Sequence, residues 1–206
     1  MDAKRLVAQG YDQIAEPLFQ WHGQPDTGRK RAYLDRLTEG LRRGARVLDL
    51  GCGPGTQASS LSERFRVVGV DISRAQLVLA RQVAPRADLL LADMCALAFR
   101  PASFDAISAF YSIIHVPKEE HGPLLRRLFA FLRPGGRLLA VLGAKAWEGT
   151  EDDWLGLGAT MFWSHWDAET GLRLVQDAGF RVLTSKCEQD SLGPGGHLFV
   201  VAEKPR

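Results

Sequence analysis

The chain has 206 residues, of which 46% are hydrophobic and 24% charged. This balance is typical of one folded domain, or barely two, and excludes a disordered, collagen-like or coiled-coil protein. The 26 basic and 24 acidic side chains give a formal net charge of +2 without a basic block, which disfavours a large nucleic-acid footprint. Three scattered cysteines argue against a disulfide framework or a zinc site. The sequence shows no apolar run long enough for a membrane helix and no apolar core like that of a signal peptide. We therefore expect a cytoplasmic protein without a membrane span, and we expect no bound metal.

Short apolar segments alternate along the chain with segments of helical periodicity. The predicted elements are, in chain order, strands at 46–50, 66–71, 88–92, 104–111 and 137–142, helices at 56–64, after Ser73, at 119–132 and at 167–179, and two final strands at 180–186 and 197–202. Ser73 and Asp167 are suited to cap the helices that begin at these residues, and Thr56 or a neighbour can cap the helix at 56–64. The leucines in 88–92 predict a strand buried on both faces. Successive β–α units predict a doubly wound parallel α/β sheet, with an antiparallel hairpin at one edge.

Three of the predicted strands end in residues suited to ligand binding. The glycine turn at 51–55 follows the first strand, Asp71 ends the second, and Asp93 follows the third. Such sheets bind ligands beyond the carboxyl ends of their strands, and glycines let the backbone approach a ligand closely. Asp71 lies about 20 residues after the turn, where an acid can bind both ribose hydroxyls, and Asp93 can accept from an adenine amine. Together, the residues at these three strand ends predict an adenosine-like ligand.

NAD and S-adenosylmethionine (SAM) both contain this adenosine. A dinucleotide needs a helix N-terminus for its pyrophosphate, usually through GxGxxG. In this chain Asp49 precedes the first glycine, and a carboxylate there repels a pyrophosphate but attracts an ammonium or sulfonium, unless it acts only by fixing the turn. The pattern favours SAM, with an NAD(P)-dependent oxidoreductase as an alternative.

At these positions the sequence resembles the class I SAM-dependent methyltransferases. The matching segments are VLDLGCGPG at 47–55, VGVDIS at 68–73, ADM at 92–94, FDAI at 104–107 and LRPGG at 132–136. The resemblance is close over residues 45 to 143 and looser elsewhere. It implies one Rossmann-like domain over 1–206, with seven strands in the order 3-2-1-4-5-7-6, strand 7 antiparallel, and an N-terminal helical cover at 1–40.

The resemblance also assigns cofactor residues. It implies that Gly51, Gly53 and Gly55 line the methionine moiety, that Asp71 holds the ribose, and that Asp93 with Met94 brackets the adenine. The remaining candidate cofactor residues are Tyr11, Asp49, Cys52, Ile72 and Phe110. The segment 10–15 resembles one in bacterial small-molecule methyltransferases, where a helix covers the cofactor and a tyrosine lies near its carboxylate or sulfonium. That position falls on Tyr11, for which packing alone is the alternative.

Methyl transfer needs a base only when the acceptor must lose a proton. The candidate catalytic residues are His115, His165 and Tyr11. His115 follows the fourth strand, which the resemblance places nearest the methyl group, and His165 stands just before the last predicted helix. For each histidine a structural role is the alternative.

Four of the five tryptophans lie in an insertion at 144–166. We interpret this insertion as an aromatic lid whose rings line a pocket for a flat or apolar acceptor, and a lid packed through its own rings is the alternative. No Asn/Asp-Pro-Pro-Tyr/Phe motif follows the fourth strand, which argues against methylation of the exocyclic amines of bases. We therefore predict a monomer or homodimer that methylates oxygen or nitrogen of a small molecule, or alternatively a SAM-binding protein without catalysis.

Overall fold

The computed structural model describes residues 2–22, 28–190 and 193–206. The helices of this part are Ala3–His22 (α1), Arg29–Thr38 (α2), Thr56–Ser62 (α3), Arg74–Val83 (α4), Lys118–Phe131 (α5) and Ala168–Asp177 (α6). Its strands are Arg46–Leu50 (β1), Arg66–Asp71 (β2), Asp88–Leu91 (β3), Phe104–Ala109 (β4), Leu132–Gly143 (β5), Trp147–Glu151 (β6), Met161–His165 (β7), Arg181–Asp190 (β8) and Gly193–Glu203 (β9). Short 3₁₀ turns lie at Met94–Ala96, Ile113–His115 and Trp154–Gly156.

Seven of these strands form one sheet in the order β3-β2-β1-β4-β5-β9-β8. The first five pair in parallel, and β9 runs antiparallel to both of its neighbours. Because β8 and β9 are the sixth and seventh strands of the prediction, this order confirms the expected Rossmann-like arrangement and its antiparallel last strand. The turn predicted between those two strands includes residues 191 and 192, which lie outside the described residues. The strands β6 and β7 form a separate antiparallel pair that was not predicted.

The sheet is covered on both faces, which explains why β1 and β4 are almost entirely buried. On one face, α2 and α3 contribute Leu37 and Leu61 to a cluster around Phe199. On the other, α5 and α6 contribute Leu128 and Val175. The helix α1 packs instead against α4 and β7, across the edge where the parallel strands end. Within the described part of the chain, no helix combines the length and the hydropathy needed to cross a membrane.

The structure corrects three local predictions. The strand β3 is not buried on both faces: Leu90 is 39% and Leu91 52% exposed, because β3 is the last strand at its edge of the sheet. Thr56 does not cap α3, which starts after Gly55 in a left-handed conformation with no side-chain cap. The strand β4 ends before Tyr111, whose φ of +50° takes the chain out of the extended conformation.

The predicted cap at Ser73 is confirmed and also connects two helices. Its hydroxyl accepts a hydrogen bond from the Gln76 N–H at 3.1 Å, at the start of α4, and donates one to Asp12 of α1 at 2.7 Å. Asp12 further accepts from the Ala75 N–H at 2.9 Å. The predicted cap at Asp167 is confirmed as well, since that side chain accepts from the Thr170 N–H.

We expect replacement of Ser73 by Ala to lower the free energy of unfolding by about 1–2 kcal/mol, because it removes a helix cap and the bond to Asp12. The matched control is Ser60→Ala in α3, where the hydroxyl only bonds back to the Thr56 carbonyl at 3.4 Å, and alanine favours a helix. Urea unfolding of both variants measures the difference. Equal stability of the two would contradict the role assigned to Ser73.

Candidate functional site

A cavity of about 200 Å³ lies at the carboxyl ends of β1, β2, β3 and β4, between those strand ends and α1. This is the place where strand order reverses between β1 and β4, the usual ligand site of such sheets. The predicted site residues in its wall are Tyr11, Gly51, Cys52, Gly53, Asp71, Ile72, Asp93, Met94, Phe110 and His115. Asp49, Gly55 and His165, which were also predicted, are outside this wall.

The glycine turn forms the floor of the cavity. Gly51, Gly53 and Gly55 all have positive φ, at +65°, +52° and +87°. A Cβ at Gly51 would stand 2.3 Å from that of Ser112, whereas at Gly53 it would meet nothing closer than 3.9 Å. Gly51 is therefore required by a close approach as well as by its conformation. Gly55 packs against Ala80 of α4 and so supports the turn from behind.

Every backbone N–H that this turn offers is already bonded within the protein. Gly51 and Cys52 donate to the Val70 carbonyl at 2.8 and 3.0 Å, and Gly55 donates to that of Cys52 at 3.0 Å. The Gly53 N–H donates to a carboxylate oxygen of Asp71 at 2.8 Å. Pro54 has no N–H. Residues 51–55 therefore offer no unbonded N–H group to a phosphate, and the donors left beside them are those of the first turn of α3, which has no side-chain cap.

Asp71 connects the end of β2 to the glycine turn through a hydrogen bond. Besides Gly53, it accepts from the Ser73 N–H at 2.9 Å through its other oxygen. The carboxylate is almost fully buried, and burial raises its pKa above the ordinary value, although the Ser73 and Gly53 N–H groups oppose this shift. Each oxygen has a second lone pair, so the group can still accept hydrogen bonds from ribose hydroxyls.

Two buried acceptor oxygens near the turn have no hydrogen-bond partner within the protein. One belongs to Asp49, whose other oxygen accepts from the Ser108 hydroxyl at 2.6 Å. Burial raises the pKa of Asp49 to about 6. The other is the amide oxygen of Gln76, a residue that lines the cavity and was missed by the sequence analysis. Asp49 was predicted as a cofactor contact, but its side chain bonds to Ser108 of β4 and is not part of the cavity wall.

Asp93, which was predicted to contact the adenine, has a partner within the protein at both carboxylate oxygens. One accepts from the Cys95 N–H at 2.8 Å, and the other pairs with the Lys4 ammonium at 2.9 Å. Lys4 also pairs with Glu120 of α5 at 2.6 Å. Burial lowers the pKa of Lys4, but its bonds to Glu120 and Asp93 outweigh this and raise the pKa above its ordinary value. The start of α1 is therefore fastened to the end of the cavity that Asp93 occupies.

Tyr11 and His115 form a hydrogen-bonded pair in the cavity wall. The Tyr11 oxygen lies 2.9 Å from His115 Nε2, and His115 Nδ1 lies 2.7 Å from the Phe162 carbonyl. Burial lowers the pKa of His115 to about 4. Burial and then the charge of Asp71 raise the pKa of Tyr11. Both groups are therefore neutral at pH 7.

His165 is not brought together with these residues. Its Nδ1–H donates to the Lys145 carbonyl at 2.7 Å, and the ring borders a separate, much smaller cavity beside His121. Burial lowers its pKa. The tryptophans of the insertion do not line the large cavity either: Trp154 and Trp163 are buried against Tyr11 and His115. The rings of Trp154 and Trp163 thus pack within the protein, as the alternative interpretation of the insertion expects, and an acceptor pocket lined by the tryptophans stays a prediction.

A second cation in the cavity wall was also missed. Lys30 of α2 lines the cavity, with its ammonium 5.6 Å from the centre of the Tyr111 ring. The site thus offers a cation, the carboxylate of Asp71 and the orphaned amide oxygen of Gln76. The cation can pair with the carboxylate of SAM, and the two acceptors can bind its hydroxyl and ammonium groups. In the part of the chain that the structure describes, no three His, Cys, Asp or Glu side chains are grouped so as to hold a metal ion.

Comparisons with known proteins match this chain to methyltransferases. Residues 47–136 match the family model of a methyltransferase domain. Over 101 residues the chain is 44% identical to a trans-aconitate 2-methyltransferase of Variovorax paradoxus (strain S110), a match that covers 48% of this chain and 38% of that protein. Over 154 residues it is 32% identical to a 27-O-demethylrifamycin SV methyltransferase of Amycolatopsis mediterranei (strain S699), covering 64% of this chain and 56% of that one. The chain thus spans less than two thirds of the length of these relatives.

A solved structure shares the fold over nearly the whole chain. It is a 1,6-didemethyltoxoflavin-N1-methyltransferase of Burkholderia thailandensis with bound 1,6-didemethyltoxoflavin and S-adenosylhomocysteine. The TM-score is 0.70 at 21% identity, with 97% of this chain and 88% of that chain covered.

The close approach at Gly51 predicts different outcomes for alanine at two glycines. Gly53→Ala is expected to cost about 1–2 kcal/mol in the free energy of unfolding, because only its positive φ is unfavourable. Gly51→Ala is expected to cost about 1–3 kcal/mol more, because its Cβ overlaps Ser112. Urea unfolding of the two variants provides the comparison. If the two substitutions cost the same, the packing of Ser112 on Gly51 is not as described.

The lowered pKa of His115 predicts a pH-dependent stability. In the unfolded chain this group has its ordinary pKa near 6.5, against about 4 when folded. Its contribution is therefore fully present above pH 6.5 and is lost as the pH falls towards 4, by on the order of 3 kcal/mol. The difference in unfolding free energy between wild type and His115→Gln, measured at several pH values, isolates this effect from Asp49, which titrates in the opposite sense. A pH-independent difference would exclude it.

Proposed function

We propose that this chain, which carries a methyltransferase domain of the class I SAM-dependent family, transfers a methyl group from SAM to an oxygen or nitrogen of a small molecule. The observation that carries the proposal is the set of acceptor oxygens around an internally bonded glycine turn. The hydroxyls and the ammonium of SAM need the acceptor oxygens of Asp71 and Gln76 that the cavity provides, while residues 51–55 leave no unbonded N–H group for a phosphate. Together these observations favour SAM over NAD.

Each part of the cavity has a role in this proposal. Asp71 would accept from the ribose hydroxyls, Met94 would pack beside the adenine, and Lys30 would pair with the methionine carboxylate. Gln76 would accept from a hydroxyl or the ammonium of the cofactor. When bound, SAM supplies a methyl group on its sulfonium. The leaving group is a neutral thioether, so the protein needs no acid to assist its departure. The chain's own contribution is to bind, orient and exclude water.

The acceptor is the less defined part of the proposal. The printed names of the relatives refer to small molecules, which supports an acceptor of that class for this chain. A flat or apolar acceptor stays a prediction, supported now by Phe110 and Tyr111 in the cavity wall in place of the tryptophans. Because Tyr11 already pairs with His115 Nε2, this histidine is not free to act as a base. We therefore propose an acceptor that ionises readily or reacts through an unprotonated nitrogen. A cytoplasmic location is part of the same proposal.

Calorimetric titration with SAM, S-adenosylhomocysteine and NAD tests the cofactor. We expect the two adenosyl ligands to bind and NAD not to. Asp71→Asn should weaken both at least about tenfold, because a carboxylate acceptor in a buried site is worth more than about 1.4 kcal/mol. The matched control is Asp88→Asn, an exposed carboxylate at the start of β3, which should bind like wild type.

Binding of NAD alone would refute the methyltransferase proposal and favour an oxidoreductase. The same preparation, incubated with methyl-labelled SAM and a panel of small hydroxy acids, phenols and amines, tests transfer itself. Cofactor binding without transfer to any of these classes would favour the alternative of a SAM-binding protein without catalysis.

A further inference from the structure

A row of arginines lies at the end of the sheet opposite the cavity, where the parallel strands begin. Arg46 starts β1 and Arg66 starts β2, and the two are register partners on these hydrogen-bonded strands. Arg86 comes two residues before Asp88, which is the register partner of Val68 in β2, so it continues the row at the edge strand β3. Adjacent strands are about 4.8 Å apart, and the three arginines therefore start side by side.

Three more arginines border this row. The turn before β1 is hydrogen-bonded to the segment before β2, since the Gly44 N–H donates to the Arg64 carbonyl at 2.7 Å. The Arg66 N–H likewise donates to the Ala45 carbonyl at 2.9 Å. The arginines of both segments therefore lie next to the row. All six are exposed and together form what we call the arginine patch: Arg42, Arg43, Arg46, Arg64, Arg66 and Arg86.

No carboxylate of the described residues neutralises the arginine patch. None of its six guanidinium groups forms an ion pair there, although the exposed Glu63 and Asp88 are near in the chain. Like charges side by side on adjacent strands repel, so the register pairing of Arg46 with Arg66 costs stability. Proteins keep such local conflicts mainly at functional sites.

The remainder of this sheet edge is compensated. Arg133 of β5 pairs with Asp105 at 2.8 Å, and the other oxygen of Asp105 accepts from the Arg46 N–H at 2.7 Å. Arg181, at the start of β8, pairs with Glu203 at 2.9 Å. The uncompensated positive surface is therefore bounded and covers only the side of the sheet formed by β1, β2 and β3.

The chemistry of the patch distinguishes between classes of anionic partner. Single-stranded nucleic acid stacks its bases on accessible aromatic side chains, but the two rings beside the patch, Phe65 and Phe104, are buried. Duplex nucleic acid binds along a track of many phosphate contacts, and a membrane surface needs a second anchor besides a basic patch. The planar guanidinium binds carboxylates through two parallel hydrogen bonds and is enriched at protein interfaces. These features favour an acidic protein.

We propose that the arginine patch is a docking surface for an acidic segment of a partner protein, whose carboxylates supply the charge that is missing there. The patch is at the amino ends of the strands whose carboxyl ends border the cavity, so a partner bound to it leaves the cavity open. The inference is independent of methyl transfer. The sequence showed no basic block because the six arginines come from three separate segments of the chain.

Fluorescence anisotropy with a fluorescein-labelled hexaglutamate peptide tests this surface. Arg66→Ala combined with Arg86→Ala should raise the Kd for the peptide on the order of tenfold, because two arginine–carboxylate contacts are lost. The control is Arg31→Ala combined with Arg181→Ala, which removes the same charge from exposed arginines that already have carboxylate partners. It should change the Kd by less than about twofold. Calorimetry should give the same Kd for SAM in both double variants as in wild type.

Two further measurements locate the surface. In NMR spectra of the wild-type protein, hexaglutamate should shift the amides of residues 42–46 and 64–66. Arg66→Glu should weaken peptide binding and yet raise the urea midpoint of unfolding, because the new carboxylate attracts Arg46 in place of repelling it. A lower midpoint would contradict the conflict described here.

Other results would overturn the proposal itself. These are an absence of hexaglutamate binding, an equal loss in the two double variants, or amide shifts confined to other segments. Tighter binding of duplex DNA or of phosphatidylserine vesicles than of hexaglutamate, lost in Arg66→Ala combined with Arg86→Ala, would assign the patch to that partner and exclude the acidic protein.

Discussion

The hydrogen bond between Asp71 and the Gly53 N–H is the constraint on which the site depends. It joins the end of β2 to the turn after β1 at 2.8 Å and completes the internal bonding of that turn. The turn that it completes has three glycines at positive φ and packs Gly51 against Ser112. The same bond makes the Gly53 N–H unavailable to a phosphate and leaves lone pairs of Asp71 for hydroxyl groups.

The first helix closes the opposite side of this cavity through polar contacts at three places. Lys4 binds Asp93 and Glu120, Tyr11 binds His115, and Asp12 binds the start of α4. These partners belong to different elements of the sheet domain, so the position of α1 depends on the whole strand-end surface. Apolar packing adds to these contacts, because Val7 and Ile14 are buried in a cluster with Trp154 and Met161 of the insertion.

The strand-end residues Gly51, Asp71 and Asp93 could be predicted because each depends on a local pattern, a strand followed by a turn residue. The strand order followed from a family resemblance and was confirmed. Lys4, Lys30 and Gln76 could not be predicted, since no local pattern distinguishes a cavity-lining lysine or glutamine from a solvated one. The packing of Trp154 and Trp163 on Tyr11 and His115 could not be predicted either, because it depends on how the insertion folds against α1. The burial of β3 was misjudged from its run of leucines alone, although the predicted strand order already placed this strand at the edge of the sheet.

The most direct test of this account is amide hydrogen–deuterium exchange with and without S-adenosylhomocysteine. If the cavity between α1 and the strand ends is the cofactor site, the ligand should protect two separate regions together, the amides of α1 and those of residues 51–55. Exchange at α6, on the far side of the sheet from α2 and α3, should be unaffected. Protection that leaves α1 unchanged, or that appears only elsewhere, would contradict the placement of the site.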